Sequence, residues 1–136
     1  MKTAVIYWSG TGNTETMANA VAKGAGVDAV TVSDFGGSIA ELDAVAFGCP
    51  AMGAEVLEED EFEPFFSGIE QALSGKTVLL FGSYGWGDGE WMRNWEERVK
   101  AAGANLLGDE GYTANEAPSD DDLAKLEALG KELAGV

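Results

Sequence analysis

The chain has no histidine, a single cysteine, three prolines, and 8 lysine and arginine residues against 24 aspartates and glutamates. Each shortage excludes something. Without histidine the commonest general base is missing, and with one thiol, Cys49, neither an internal disulfide nor the usual metal-ligand spacing can be built. A formal net charge of −16 makes nucleic acid and anionic membrane surfaces poor partners and basic protein faces good ones. No apolar run approaches the roughly 18–20 residues of a membrane span. The start, Met1-Lys2-Thr3-Ala4-Val5-Ile6-Tyr7, lacks the apolar stretch and cleavage site of a signal peptide, so a cytoplasmic protein is expected.

What is present is enough for one domain over residues 1–136, with 46% hydrophobic residues to fill a core. Strand-like apolar runs alternate with segments of helical period. Ala4–Trp8, Val27–Val32, Ala44–Phe47, Thr77–Phe81 and a weaker Leu106-Leu107 read as strands. Helices are expected from about Thr14, with Met17, Ala18, Val21 and Ala22 inward. Ser38-Ile39-Ala40-Glu41 has capping-box spacing and predicts a brief helix. Another helix, with Pro64 in its first turn, puts Phe62, Phe65, Phe66, Ile69 and Leu73 on one side. A helix from Glu90 carries Trp91, Trp95 and Val99, and one opened by Ser119 carries Leu123, Leu126, Leu129 and Leu133. Five strands and about five helices in alternation predict a parallel, doubly wound sheet covered on both faces. Ligands of such sheets sit beyond the carboxyl ends of the strands, where strand order reverses.

Three loops then meet at that end. Ser9-Gly10-Thr11-Gly12-Asn13-Thr14 offers backbone amides at a helix start, hydroxyl and amide side chains, and glycines that let the backbone curl. A phosphate can be held there by neutral dipoles alone, although a glycine turn capped by threonine would read similarly. Lacking Lys, Arg or a metal ligand, the loop suits a phosphate that stays put over one being transferred. The dinucleotide fingerprint fails, because Glu15 stands where its third glycine belongs, and no Gly-Lys-Ser/Thr triplet makes a P-loop. A low-molecular-weight phosphatase needs arginine six residues beyond its cysteine, where this chain has Glu55. A receiver domain needs acidic residues after the first strand, where Trp8-Ser9 stand.

The second loop, Pro50-Ala51-Met52-Gly53-Ala54-Glu55, supplies a thioether suited to a flat aromatic surface, a peptide free to turn at Gly53, and a carboxylate able to accept from a ring N–H. The third, Ser83-Tyr84-Gly85-Trp86-Gly87-Asp88-Gly89, sets an indole between glycines, poorly placed for a core and well placed to stack on a planar ligand. Trp91 and Trp95, at helical spacing, read as core, and so does Cys49.

The runs SGTGNT, GCPAMG and GSYGWGDGEWM together resemble the short-chain flavodoxins of strictly anaerobic bacteria. The likeness runs the full length, with no sign of the extra loop in the last strand that marks long-chain members. It implies a flavodoxin-like three-layer sandwich with strand order 2-1-3-4-5 and non-covalently bound FMN. Ser9, Gly10, Thr11, Gly12, Asn13 and Thr14 would hold the phosphate. Met52 would cover one face of the isoalloxazine and Trp86 the other, beside Ala51, Ser83 and Tyr84. The Met52–Gly53 peptide would turn on reduction to accept from protonated N5, stabilising the neutral semiquinone. Glu55 would accept from N3–H, the amides of Gly85, Gly87 and Asp88 would serve the N1/O2 edge, and Asn115 would reach the ribityl or ring region. Ala54 departs from the polar or acidic residue that relatives often carry. No catalytic residue and no metal are implied.

The implied role is a low-potential one-electron carrier working on the semiquinone/hydroquinone couple. It would be a monomer that shuttles transiently between basic-faced redox proteins of the ferredoxin or flavodoxin reductase type. The alternative is an FMN-dependent NAD(P)H or quinone reductase, which needs a second pocket over the flavin that a stacked Trp86 would block. Acidic residues bunch beside the second loop, at Glu55, Glu58, Glu59, Asp60, Glu61 and Glu63, with Asp88 and Glu90 by the third. As free charges they would oppose an anionic reduced flavin and steer basic partners.

Overall fold

The computed structural model describes residues 2–53, 55–85 and 87–135. Its strands are β1 (Thr3–Tyr7), β2 (Ala29–Thr31), β3 (Ala44–Gly48), β4 (Thr77–Tyr84), β5 (Asn105–Leu106) and β6 (Tyr112–Asn115). The α-helices are α1 (Asn13–Ala25), α2 (Phe62–Ile69), α3 (Glu90–Ala101) and α4 (Asp120–Ala134). The strand order is β2-β1-β3-β4-β5, with β6 also on β4, and every pairing is parallel.

β3 is buried at every position and β4 at six of its eight, because helices cover both faces. Alternate side chains serve two cores. Ile6, Val45, Phe47, Val78 and Leu80 meet Phe62, Phe66, Trp91 and Trp95 of α2 and α3 on one side. Val5, Ala46, Leu79 and Phe81 meet Met17, Val21, Leu126 and Leu133 of α1 and α4 on the other. Phe47 is edge-on to both Phe62 and Phe66, the preferred geometry for such pairs. Trp91, Trp95 and Cys49 are buried, as the sequence pattern requires.

Three elements differ from expectation. Ser38–Glu41 makes only the 3-10 turn Ile39–Glu41, and Ser38 forms no capping bond. The Asp43 amide already pairs with the Lys2 carbonyl, pulling the chain into the sheet before a second turn can form. The second strand is shorter than Val27–Val32, since the Val27 amide closes α1 by bonding the Ala22 carbonyl. The last strand is split, and Leu107 lies outside it in a 3-10 turn, Leu107–Asp109. β5 pairs with Thr77 and Val78, and β6 resumes at Phe81. Five residues, Leu107–Gly111, therefore face two on β4, and the excess loops out through left-handed Gly108 and Asp109. This is a short interruption with its own turn. Among the described residues no helix is long and apolar enough to cross a membrane.

Candidate functional site

β1, β3 and β4 end side by side, and the loops after them are tied to one another around the end of β4. The Thr14 and Ser83 hydroxyls lie 3.1 Å apart and buried, joining the first loop to β4. The Ala51 amide donates to the Ser83 carbonyl at 3.0 Å, joining the second. The Tyr84 carbonyl accepts from the Glu116 amide at 2.7 Å and lies 3.5 Å from the Asn115 side-chain nitrogen. So the expected residues of all three loops and Asn115 are brought together. Trp86, expected to stack on the ring, and Ala54 lie outside the described residues.

In the first loop, α1 starts after Gly12, whose φ of 98° and ψ of −11° is a left-handed conformation that a side chain would strain. Its amide donates to the Ser9 hydroxyl at 3.1 Å. Gly10 and Thr11 are exposed, while Ser9, Gly12 and Asn13 are half-buried. No side chain caps α1, and among the described residues none accepts from the amides of Asn13, Thr14 or Glu15. A helix start normally has its free amides satisfied. Here they form a cradle of neutral donors.

The second loop is a tight hairpin. Met52 and Val56 exchange backbone bonds of 2.9 and 3.1 Å, and both Gly53 (φ 42°) and Glu55 (φ 56°) are left-handed. Glu55 crosses to the third loop, accepting from the Asp88 amide at 2.8 Å and the Trp91 amide at 3.3 Å. Its carboxylate fills the space where a Cβ on Gly87 would stand, 1.7 Å from Oε1. Both carboxylate oxygens thus hold protein amides, and each keeps a further lone pair for a ligand N–H.

Ser83 and Tyr84, expected in the third loop, instead end β4, where β6 pairs with them. Ser83 is buried and Tyr84 half-buried, while Gly85, Gly87 and Asp88 of the loop beyond are exposed. Beneath it the Trp91 indole donates to the Cys49 carbonyl at 3.1 Å. Burial pushes the Cys49 thiol well above its ordinary range, so it brings no charge to the floor of the site.

The acidic cluster needs correction. Glu58 is no solvated charge: it is 6% exposed and accepts from the amides of Asp60, Glu61 and Phe62 at 2.9, 2.8 and 2.8 Å. Burial alone would raise its pKa, but the three amides outweigh that and leave it below the ordinary glutamate value. Glu63 is paired with Arg98 at 2.7 Å and Asp88 with Arg93 at 3.1 Å. Glu59, Asp60, Glu61 and Glu90 are exposed. The sequence reading missed the roles of Glu58 and Arg93. Their signals were present but faint: a carboxylate one turn before Phe62, and a guanidinium one turn into the helix that follows Asp88.

The fold and these loops define a doubly wound, flavodoxin-like α/β protein with a donor-lined site where strand order reverses between β1 and β3. A flavodoxin family model matches residues 5–130. The flavodoxin of Clostridium beijerinckii is 47% identical over 138 residues, covering 97% of this chain and 99% of its own. That of Megasphaera elsdenii is 45% identical over 136, covering 96% of each. The structure of a flavodoxin from the domain Archaea superposes with a TM-score of 0.87 at 26% identity, over 99% of this chain and 97% of that one. This chain belongs to the flavodoxin family, electron-transfer flavoproteins that bind FMN and are not enzymes.

Proposed function

We propose that this chain is a single FMN domain carrying one electron at a time at low potential between larger redox proteins with basic docking faces. FMN supplies the redox chemistry, accepting and returning electrons singly. The chain's residues hold and orient it. Ser9–Thr14 and the first amides of α1 take the phosphate, and Thr14, fixed by Ser83, keeps that loop on the sheet. Ala51, Met52 and Gly53 line one side of the ring, with Ser83, Tyr84 and Trp86 on the other. Glu55 accepts from the N3 edge while bonding the third loop. The amides of Gly85, Gly87 and Asp88 serve the N1/O2 edge, and Asn115 closes the ribityl side.

The observation that carries this reading is the start of α1. Its free amides and hydroxyls suit a dianion held by dipoles, and they sit where the three loops meet. The test has two parts. The protein should bind FMN far more tightly than riboflavin, which lacks the phosphate. An anaerobic reductive titration followed by visible spectroscopy should then show two resolved one-electron steps. Equal affinity for both flavins, or uptake of both electrons in one step, would contradict it.

A further inference from the structure

We infer that Arg93 is a positioning residue for the flavin edge, fixing the third loop through Asp88 and offsetting the negative charge there. This rests on the FMN reading above and names a residue beyond it. Arg93 lies one turn into α3 and folds back over the loop that precedes it. Its Nη1 donates to the Asp88 carbonyl at 2.8 Å and its Nη2 to the Asp88 carboxylate at 3.1 Å. From the other side, the Asp88 amide donates to Glu55 of the second loop.

The Asp88 residue is therefore gripped at its amide, its carbonyl and its side chain, by residues from two different elements. That grip matters because the segment it fixes is otherwise loose. Gly87 and Gly89 flank Asp88 with φ of 92° and 90°, and Asp88 itself is exposed. Glycines on both sides leave the backbone with many accessible conformations to lose. Two-point contact by a planar guanidinium selects one of them, which a flexible ammonium does less well.

Charge adds a second effect. Among the described residues no other base makes an ion pair or hydrogen bond with the three loops: Lys2, Lys23, Lys100 and Lys125 pair with acids elsewhere, and Arg98 binds Glu63 and Glu70. In a chain of net charge −16, the one cation at this loop opposes the general field. Arg93 and Asp88 are 57% and 78% exposed, so solvent screens the pair and the effects are modest.

The test separates grip from charge. In Arg93→Ala the FMN dissociation constant should rise about fivefold, and the potential for adding the second electron should fall. In Arg93→Lys the charge stays and the fork is lost, so the potential should remain near that of the parent while the dissociation constant rises about threefold. Fluorescence titration gives the first quantity and spectroelectrochemistry the second. Parent affinity and potential in Arg93→Ala would overturn the inference, and full recovery of affinity in Arg93→Lys would overturn the positioning half. If the parent itself takes up no FMN, the proposed function falls and this inference falls with it.

Discussion

The two helices that cover the same face of the sheet, α1 and α4, begin in opposite ways. α4 is closed by its own residues: the Ser119 hydroxyl accepts from the Asp122 amide at 3.1 Å, and the Asp122 carboxylate accepts from the Ser119 amide at 2.9 Å, a complete capping box. α1 opens on a glycine with no capping side chain. The start of α2 sides with α4, since Glu58 closes it. α3 opens like α1 on a left-handed glycine, Gly89, but Glu55 reaches across from the second loop to its Trp91 amide. A chain with 24 acidic residues has supplied a carboxylate to three helix starts and withheld one from the fourth. The difference separates stability from function: the starts of α2 and α4 are finished by folding, that of α3 is met only in part, and that of α1 is left for a ligand.

The largest expected effect lies at a finished start. Glu58→Ala removes an acceptor from three amides, those of Asp60, of Glu61 just before α2 and of Phe62 at its first position, in a buried setting. The loss should be about 3 kcal/mol in urea unfolding, since amides bonded to a charged acceptor are left without it. The same residue predicts a pH dependence. Its folded pKa lies below the unfolded one, and so does that of Asp122, held down first by the Ser119 amide and then by the Tyr112 hydroxyl. Their contribution is therefore fully present above the unfolded carboxylate range, about pH 4, and disappears as pH falls through the folded values. Acid unfolding followed by circular dichroism should show Glu58→Ala losing part of that acid-sensitive stability.

The next effect comes from making α1 resemble its neighbours. Thr11→Asp puts a carboxylate beside the free amides, at an exposed position. The apoprotein should gain about 0.5 kcal/mol from the helix dipole. FMN affinity should fall at least about tenfold, equivalent to about 1.4 kcal/mol, because two anions would compete for one set of donors. Unchanged FMN binding would mean the phosphate lies elsewhere.

How much of this was legible in the sequence follows from the strength of each residue's signal. The apolar runs of β3 and β4 mark both strands in the sequence, but β4 extends three residues beyond Phe81, through Gly82, Ser83 and Tyr84, where the apolar run stops and pairing with β6 holds the strand. β6 was missed because only Ala114 of Tyr112–Asn115 is buried, so it offers neither a run nor an alternation. The three loops were found from their composition, and the topology then brought them together. Side chains acting across loops left no such trace. Glu55 reaches a helix 36 residues away, and Thr14 meets a hydroxyl 69 residues away; neither distance shows in local pattern. Net charge misled in a different way, because counting acids cannot tell the buried Glu58 from the exposed Glu59.

That distinction sets the smallest effect and sharpens the comparison once more. The acids that remain as free charges beside the second loop are Glu59, Asp60 and Glu61, all exposed. A charge about 10 Å from another in water costs about 0.4 kcal/mol, and physiological salt reduces this about threefold. Three such charges together amount to about 0.4 kcal/mol, or about 15 mV for one electron, using 59 mV per tenfold change. Replacing all three by their amides should raise the potential for the second electron by about that much. It should slow reduction by a basic-faced partner more visibly, with the difference vanishing at high salt. Stability should hardly move, because Glu58, which closes α2, is left in place. A fall in stability as large as that of Glu58→Ala would show that the exposed acids help to build the helix start, and the line drawn between finished and open starts would have to be redrawn.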